Sequence, residues 1–349
     1  MLPKINTEAM IRFLVELLNT PSPTGDAGRA IHYVQEVFEK AQLPLSMSMS
    51  PKGALVATWE GVADNAPRAV TAHVDTLGAM VREIKRNGRL RMTQLGGWGW
   101  TSVEGEGVTI FASNGEQYRG TILPTMASWH AHTSKIRHAP RDENNMEVRI
   151  DAYTSSARET AGLGIRVGDF IAFDPRAEVT ETGFIRSRHL DDKACVATIF
   201  GALSALAENG LRPRQRTTVL ISNYEEVGHG AAAGLPGDLA ELLTVDMAVV
   251  AERQASNEYS VTICAKDSGG PYHLGFRREL EALASTHNLR YCTDVYPFYR
   301  SDGEAYWQAG GNVRVALIGP GVDASHHYER THCDALEQTA QLITAYLLS

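Results

Sequence analysis

Residues 188–222 read RHLDDKACVATIFGALSALAENGLRPRQRTTVLIS, and this stretch decides the fold class. Apolar residues at helical spacing predict a helix that ends at Gly210. The mostly apolar run RTTVLISN at 216–223 then predicts a buried strand. A helix followed directly by a buried strand is the unit from which α/β sheets are built.

The same alternation of predicted helices and strands continues in both directions along the chain. Upstream, the pattern predicts helices at 7–19 and 26–41 and strands at 54–60 and 68–75. Downstream, it predicts strands at 243–250, 259–265, 290–297 and 313–318, and helices at 274–287, 303–310 and 334–348. Strands that alternate with helices predict a doubly wound, mixed α/β sheet with helices on both faces.

Between about 80 and 176 the pattern changes to short alternating runs separated by Gly, Asn-Gly and Asp. Two of these breaks, KRNG and ASNGEQ, contain the Asn-Gly dipeptide that is expected of tight β-hairpins. We therefore predict an inserted small β-barrel-like domain at 80–176. The α/β domain is then built from residues 1–79 plus 177–349.

The composition excludes several classes of protein. The net charge is -8 over 349 residues, and nucleic-acid binding needs clustered Lys and Arg, so no nucleic-acid partner is predicted. The longest apolar run is shorter than the roughly 20 residues that span a bilayer, so no membrane association is predicted. The N-terminal segment lacks a signal-peptide pattern, and the 4 Cys residues form no CxxC pair. These features predict a cytoplasmic location with free thiols.

Titratable side chains stand at the ends of predicted strands, where open α/β sheets place their ligand sites. His73 and Asp75, in TAHVD, are two residues apart and therefore point to the same face of their strand. An imidazole binds a metal ion through one nitrogen, and a carboxylate that holds the other N–H fixes its tautomer. A hydrogen-bonded structural histidine is the alternative interpretation.

Two pairs of adjacent carboxylates follow along the chain. Asp191 and Asp192 open the helix after RSRHL, where helix capping alone would explain them. Glu225 and Glu226 follow the strand RTTVLISN, where a solvated turn is the simpler interpretation. Neighbouring residues at a strand end point in different directions, so these two glutamates can take different roles.

Two further groups stand near the ends of later strands. Asp246 precedes the apolar run MAVVA and Glu252 follows it. Because ligands gather at the carboxyl ends of strands, Glu252 is the better candidate and Asp246 is expected to be solvated. The segment GPGVDASHHYERTH contains His326, His327 and His332.

Together, His, Asp, Glu, Glu and His at strand ends form a ligand set for two divalent ions. Each ion would take one His and one terminal carboxylate, and a third carboxylate would bridge the two ions. Two such ions activate a water molecule and stabilise the charge of a tetrahedral intermediate. The reaction also needs a base that is not itself a ligand, which we assign to one of the two adjacent glutamates.

The ordered motifs AHVD, LDD, EEVGHGAA, VVAE and SHHYE resemble those of the glutamyl-aminopeptidase/cellulase-M family of dimetal aminopeptidases, which includes the tetrahedral (TET) peptidases. The resemblance covers essentially the whole chain. It implies a phosphorylase/hydrolase-like fold of the zinc-exopeptidase type, in which 1–79 plus 177–349 form the catalytic metallopeptidase domain. It implies that 80–176 is an oligomerisation and substrate-access domain, and that the protein is a homo-oligomer, from a dimer up to a dodecamer.

The resemblance also implies a role for each matching residue. The implied metal ligands form two sets that share one carboxylate: His73, Asp191 and Glu252, and Asp191, Glu226 and His326. Glu225 would be the general base, and Asp75 would orient His73. Asp302, in YRSDGEAYWQAGG, falls at the Asp of the family's Gly-Thr-Asp-Ala turn, which lies near the substrate.

Two ligand choices stay open. The family often has Asp as the terminal carboxylate where this strand ends in Glu252, and Asp246 at the start of the strand is the alternative. The last histidine of the family is followed a few residues later by Glu. Glu329 suits His326 best in this respect, and His327 is the alternative.

We predict a dinuclear metal-dependent aminopeptidase that hydrolyses N-terminal residues from short peptides through a metal-bridging water. Two divalent ions per subunit are expected, zinc or cobalt. A deacylase or amidase of a small N-acylated or amidated dipeptide-like compound would use the same site. A non-catalytic metal-dependent binding protein is the third alternative, and the unliganded base Glu225 argues against it.

Overall fold

The structure of the protein is a computed structural model that describes all 349 residues, Met1–Ser349. The chain forms two compact units. The first, here called the large unit, comprises Met1–Asp75 and Arg176–Ser349. The second, the barrel unit, comprises Thr76–Pro175.

The helices and strands have the following bounds. The helices are α1 (Thr7–Leu18), α2 (Gly28–Lys40), α3 (Trp129–His132), α4 (Ser134–His138), α5 (Ala157–Gly162), α6 (Leu190–Glu208), α7 (Leu274–Thr286), α8 (Asp302–Gln308) and α9 (Cys333–Leu348). The strands are β1 (Ser46–Met49), β2 (Leu55–Trp59), β3 (Ala63–His73), β4 (Gly78–Ile84), β5 (Leu90–Leu95), β6 (Gly107–Phe111), β7 (Gln117–Pro124), β8 (Met146–Ile150), β9 (Phe170–Phe173), β10 (Glu178–Val179), β11 (Phe184–Ser187), β12 (Gln215–Ser222), β13 (Glu241–Val245), β14 (Ala248–Val250), β15 (Val261–Asp267), β16 (Gly270–Pro271), β17 (Tyr291–Val295), β18 (Arg314–Asp323) and β19 (Glu329–His332). Single 3₁₀ turns lie at Trp100–Ser102, Glu225–Val227 and Gly230–Ala232. None of these helices combines the length and the apolar character that a transmembrane span requires.

A mixed β-sheet forms the centre of the large unit. Its main path runs β1-β2-β12-β3-β13-β18-β19-β11-β10, and β14, β15, β16 and β17 attach beside this path. The central strands β12, β3, β13 and β18 are parallel to one another. In contrast, β2 pairs antiparallel with β12, and β15 pairs antiparallel with β18. The predicted mixed α/β sheet is confirmed.

The central strands are buried on both faces. In β3, Val70 and Ala72 belong to one core cluster, whereas the neighbouring Ala69 belongs to another. The first cluster includes residues of α1, α2, α6, α7 and α9, and Tyr306 and Trp307 of α8 pack against the second. Successive side chains of a strand point to opposite faces, so helices that cover both faces explain the continuous apolar runs in the sequence.

The barrel unit contains a closed antiparallel barrel with the strand order β4-β5-β8-β7-β6-β9. The dipeptide Asn87-Gly88 lies in the β4–β5 connection, and Asn114-Gly115 lies in the β6–β7 connection. Gly88 has φ +81° and Gly115 has φ +90°, which tight hairpin turns require and glycine adopts without strain. The predicted barrel and both of its predicted hairpins are confirmed.

Lys193 is a fully buried lysine near the start of α6. Its Nζ donates hydrogen bonds to the main-chain oxygens of Leu17, at 3.0 Å, and Thr20, at 2.7 Å. Burial lowers the pKa of this amine to about 7. The side chain therefore joins the C-terminal end of α1 to the helix that carries Asp191.

Lys193→Met is expected to lower the free energy of unfolding of the metal-free protein by about 1–3 kcal/mol, because two buried main-chain oxygens each lose a hydrogen bond. Urea unfolding followed by circular dichroism measures the change. Lys40→Met is the control, since the Lys40 side chain is 75% exposed. Equal unfolding midpoints for the two variants would contradict this role of Lys193.

Candidate metal centre

The candidate site lies at the carboxyl ends of neighbouring parallel strands of the large unit. His73 is the last residue of β3, Asp246 directly follows β13, and the turn Glu225–Val227 follows β12. His326 lies in the connection between β18 and β19, and Asp191 lies near the start of α6. Parallel strands end at the same edge of a sheet, so residues that are distant in sequence meet there.

At this edge of the sheet, two groups of side chains could hold a metal ion, and Asp191 belongs to both; a third possible group in the chain, His332, Cys333 and Asp334, does not include it. One group is His73, Asp191 and Asp246, and the other is Asp191, Glu226 and His326; in each, the possible ligand atoms lie within 4.8 Å of one another. Oδ1 of Asp191 is 3.2 Å from His73 Nε2, whereas its Oδ2 is 3.5 Å from His326 Nε2. His326 Nε2 is also 3.7 Å from Glu226 Oε2. The two oxygens of the Asp191 carboxylate thus face different histidines, as expected of a carboxylate that could bridge two metal ions.

The tautomer of His73 fits a bound cation. Its Nδ1 is 2.9 Å from the main-chain oxygen of Asp75, so we assign the ring hydrogen to Nδ1. Its Nε2 is buried without a hydrogen-bond partner and faces carboxylate oxygens of Asp191 and Glu225. Oε1 of Glu226 is likewise buried without a partner. Buried polar atoms are normally paired, and lone pairs that face one another need a cation between them, so this donor set fits a metal ion.

Glu225 and Glu226 point in different directions because they lie in a 3₁₀ turn. The flanking residues Tyr224 and Gly228 have left-handed main chains, with φ 74° and 87°. Glu226 belongs to the second of the two groups, whereas Glu225 belongs to neither. The expectation that the end of a strand separates the two side chains is wrong, because β12 already ends at Ser222 and the turn follows it.

Asp75 orients both His73 and this turn. It contacts His73 chiefly through its main-chain oxygen, and its Oδ1 is 3.5 Å from His73 Nδ1. Its carboxylate accepts the main-chain N–H of Glu225 at 3.2 Å and that of Glu226 at 3.4 Å. Thr24 Oγ1 donates to the same carboxylate at 2.8 Å. Asp75 is fully buried, and these contacts hold it outside both ligand groups.

The structure brings Asp246, and not Glu252, to the site. The apolar run before Glu252 is not one strand, because β13 ends at Val245 and β14 begins at Ala248. Asp246 therefore lies at the carboxyl end of a parallel strand and is 4% exposed, whereas the Glu252 side chain is 92% exposed. The end of β13, rather than the end of β14, carries the candidate ligand, which corrects the prediction of Glu252.

Of the two adjacent histidines, His326 reaches the site, and His327 is exposed and belongs to neither group. The fully buried Glu329 accepts the main-chain N–H of His326 at Oε1 and that of Asp191 at Oε2, both at 3.0 Å. In the sequence, Glu329 only helps to distinguish the two histidines. Its contact with Asp191 joins residues 138 positions apart, and no local pattern signals such a contact.

Asp302 lies at the start of α8 and is 2% exposed. Its carboxylate accepts hydrogen bonds from Ser222 Oγ and from the main-chain N–H of Ala231, the latter at 2.6 Å. Thr71 Oγ1 donates to it at 3.5 Å. Asp302 therefore joins α8 to the end of β12 and to the turn at Gly230–Ala232, and its predicted contact with the substrate stays a prediction.

Burial and mutual repulsion raise the pKa values of most carboxyl groups at the site. Burial and the charge of Asp191 raise the pKa of Glu226 to about 8 and that of Asp246 to about 8. Burial also raises the pKa of Glu225 well above its usual range. For Asp191, burial opposes ionisation, but contacts with the two histidines hold its pKa below the usual range. A divalent ion would supply the positive charge that these crowded carboxylates lack.

A cavity of about 420 Å³ opens onto the site. Besides the site residues, Met247, Val249, Phe298 and Tyr299 give it a largely apolar lining, and Arg300 adds one cationic side chain. A volume of this size is that of a small-ligand site rather than of a groove for a folded protein.

A profile of the M42 glutamyl aminopeptidase family matches residues 53–342. The chain is 42% identical over 339 residues to the putative aminopeptidase YhfE of Bacillus subtilis (strain 168), covering 97% of each chain. It is 30% identical over 182 residues to the glutamyl aminopeptidase of Lactococcus lactis subsp. cremoris (strain MG1363), covering 50% of this chain and 49% of the relative. The chain belongs to the M42 glutamyl aminopeptidase family. It is therefore a peptidase, which argues against the non-catalytic alternative.

Solved structures show the same fold. The TET aminopeptidase from the marine sediment archaeon Thaumarchaeota archaeon SCGC AB-539-E09 matches with a TM-score of 0.87 at 16% identity, covering 97% of this chain and 96% of that chain. The TET1 peptidase of Pyrococcus horikoshii, which can assemble into a tetrahedron or a large octahedral shell, matches with a TM-score of 0.84 at 20% identity. That match covers 97% of this chain and 99% of the other. The resemblance seen in the sequence motifs is confirmed, and aminopeptidases of this family are metal-dependent.

Proposed function

We propose that this aminopeptidase uses two divalent metal ions per subunit to remove N-terminal residues from short peptides. The observation that carries the proposal is the position of Asp191, whose two oxygens face His73 and His326 separately. In this proposal, one ion is held by His73, Asp191 and Asp246, and the other by Asp191, Glu226 and His326. Nitrogen and carboxylate ligands of this kind suit zinc or cobalt.

When bound, such ions supply an activated water and positive charge near the carbonyl oxygen of the substrate. The protein's part is proton transfer and orientation. Glu225 takes a proton at its carboxylate and returns it to the departing amine, since it belongs to neither ligand group. Asp75 keeps the His73 ring and the Glu225 turn in place.

Separate observations support the proposed substrate, location and assembly. The cavity of about 420 Å³ supports a short peptide as substrate. Four free cysteines support the cytoplasm as the location. The assemblies formed by the TET1 peptidase support a homo-oligomer, from a dimer up to a dodecamer. The resemblance seen in the sequence implies that the barrel unit would contribute contacts between subunits.

A substrate screen on the metal-reconstituted protein tests this proposal. Aminoacyl-nitroanilides and unblocked dipeptides are expected to be hydrolysed, and N-acyl dipeptides are expected to be inert. Removal of metal by EDTA is expected to abolish turnover, and added zinc or cobalt to restore it. Turnover of N-acyl or amidated dipeptides in place of unblocked ones would overturn the proposal in favour of a deacylase or amidase.

A further inference from the structure

Lys52 contacts residues 224–230, which include the proposed base Glu225 and are here called the base segment. The proposed mechanism assigns no role to this lysine. Its Nζ donates hydrogen bonds to the main-chain oxygens of His229 and Gly230, the latter at 2.9 Å. The same ammonium lies 5.8 Å from the centre of the Tyr224 ring, in position for a cation–π contact. Lys52 therefore touches the residue just before the proposed base and the main chain a few residues after it.

Other contacts also hold the base segment. Within it, Gly228 N–H donates to Glu225 O at 2.6 Å, and His229 N–H donates to Tyr224 O at 3.1 Å. The rings of Tyr224 and His229 stack with their centres 5.2 Å apart. Asp75 holds the beginning of the segment through the main-chain N–H of Glu225. At its end, Lys52 binds the main-chain oxygens of His229 and Gly230, next to the Ala231 N–H that donates to Asp302.

A tight turn presents Lys52 in a fixed position. Between β1 and β2, Gly53 N–H donates to Ser50 O at 2.9 Å, which closes a four-residue turn. Pro51 occupies its second position, where a fixed φ is favourable, and Gly53 has φ +83°. Since β2 pairs antiparallel with β12, this turn lies beside the end of β12 that leads into the base segment. The ammonium thus comes from a rigid neighbour rather than from a loose loop.

We propose that Lys52 is a positioning residue for Glu225: by holding the main chain at His229 and Gly230, it keeps the Glu225 carboxylate directed at the metal centre. The inference rests on the proposed role of Glu225 as the base. The hydrogen bonds of Lys52 end on main-chain oxygens outside both ligand groups, so its loss moves the base and leaves the metal sites intact. A displacement of about 1 Å of a reacting group lowers a rate by up to roughly a hundredfold.

Lys52→Met tests this role. We expect kcat to fall by roughly ten- to a hundredfold, KM and metal content to stay close to those of the parent, and deuterium uptake in the base segment to rise. Lys52→Arg keeps a cation that can donate to both oxygens, and it is expected to recover most of kcat and of the protection from exchange. Lys40→Met, which removes an exposed lysine paired with Glu36, is the control and should change none of these quantities.

Parental kcat in Lys52→Met would overturn the inference, as would unchanged exchange in the base segment. Loss of metal from this variant would also overturn it, because Lys52 would then support the ligands. If Lys52→Met does not fold, Lys52→Gln, which keeps an N–H donor without the charge, takes its place in the same measurements. Hydrogen exchange needs no turnover, so failure of the proposed peptidase activity is recognised separately from failure of this inference.

Discussion

Glu225→Gln is expected to lower kcat by about 10²–10⁴-fold while the protein keeps its full metal content. Glu225 belongs to neither ligand group, and its Oε2 lies 3.6 Å from His73 Nε2, close to the centre without being part of it. The amide of Gln has almost the same size as the carboxylate but cannot accept the proton. Steady-state kinetics on an aminoacyl-nitroanilide, together with metal analysis of the same sample, give the two quantities.

Glu252→Gln is the matched control for this experiment, because it makes the same chemical change on a side chain that is 92% exposed. It should leave both kcat and metal content at the parental values. Near-parental kcat in Glu225→Gln would reject Glu225 as the base. Loss of metal from Glu225→Gln would instead show that this carboxylate is a ligand.

Asp246→Asn is expected to weaken binding at one metal site by at least about a hundredfold, since changes to residues that only orient ligands already cost 10- to 100-fold. Asp246 is buried within 4.8 Å of the ligand atoms of His73 and Asp191, and an amide is a much poorer ligand than a carboxylate. Titration of the metal-free protein with zinc, in competition with a chromophoric chelator, measures the affinity. In this assay one of the two binding steps should be lost or shifted, and the other retained.

In the same titration, Glu252→Gln should show the same zinc-binding steps as the parent protein. The two variants together therefore test directly which of the two carboxylates is a ligand. If Glu252→Gln loses a binding step and Asp246→Asn does not, the assignment drawn from the structure is wrong. A single binding step in the parent itself would contradict the proposal of two ions per subunit.

Local patterns in the sequence determined much of this protein. Continuous apolar runs such as the one around Val70 indicate strands that helices cover on both faces, because each face of such a strand must find an apolar partner. The dipeptides Asn87-Gly88 and Asn114-Gly115 specify hairpins, because only a few residues adopt a left-handed main chain cheaply. The ordered motifs at strand ends indicated the family, and they placed His73, Asp191, Glu225, Glu226 and His326 at one edge of the sheet.

The choice between Asp246 and Glu252 lay beyond the sequence, because it depends on where one strand ends. Val245 is the last residue of β13 that pairs with β18, opposite Ile318. Asp246 then passes so close to Gly319 of β18 that an added Cβ at Gly319 would lie 1.8 Å from the main-chain oxygen of Asp246. The contacts of Asp302 also lay beyond the sequence, because only the fold shows that Ser222 and Ala231 donate hydrogen bonds to its carboxylate. The sequence by itself determined the class of fold, the edge of the sheet that bears the candidate site, and most of the candidate residues. The tertiary structure alone decided which acidic side chains face that site, because burial and strand ends are set by neighbours that are far away along the chain.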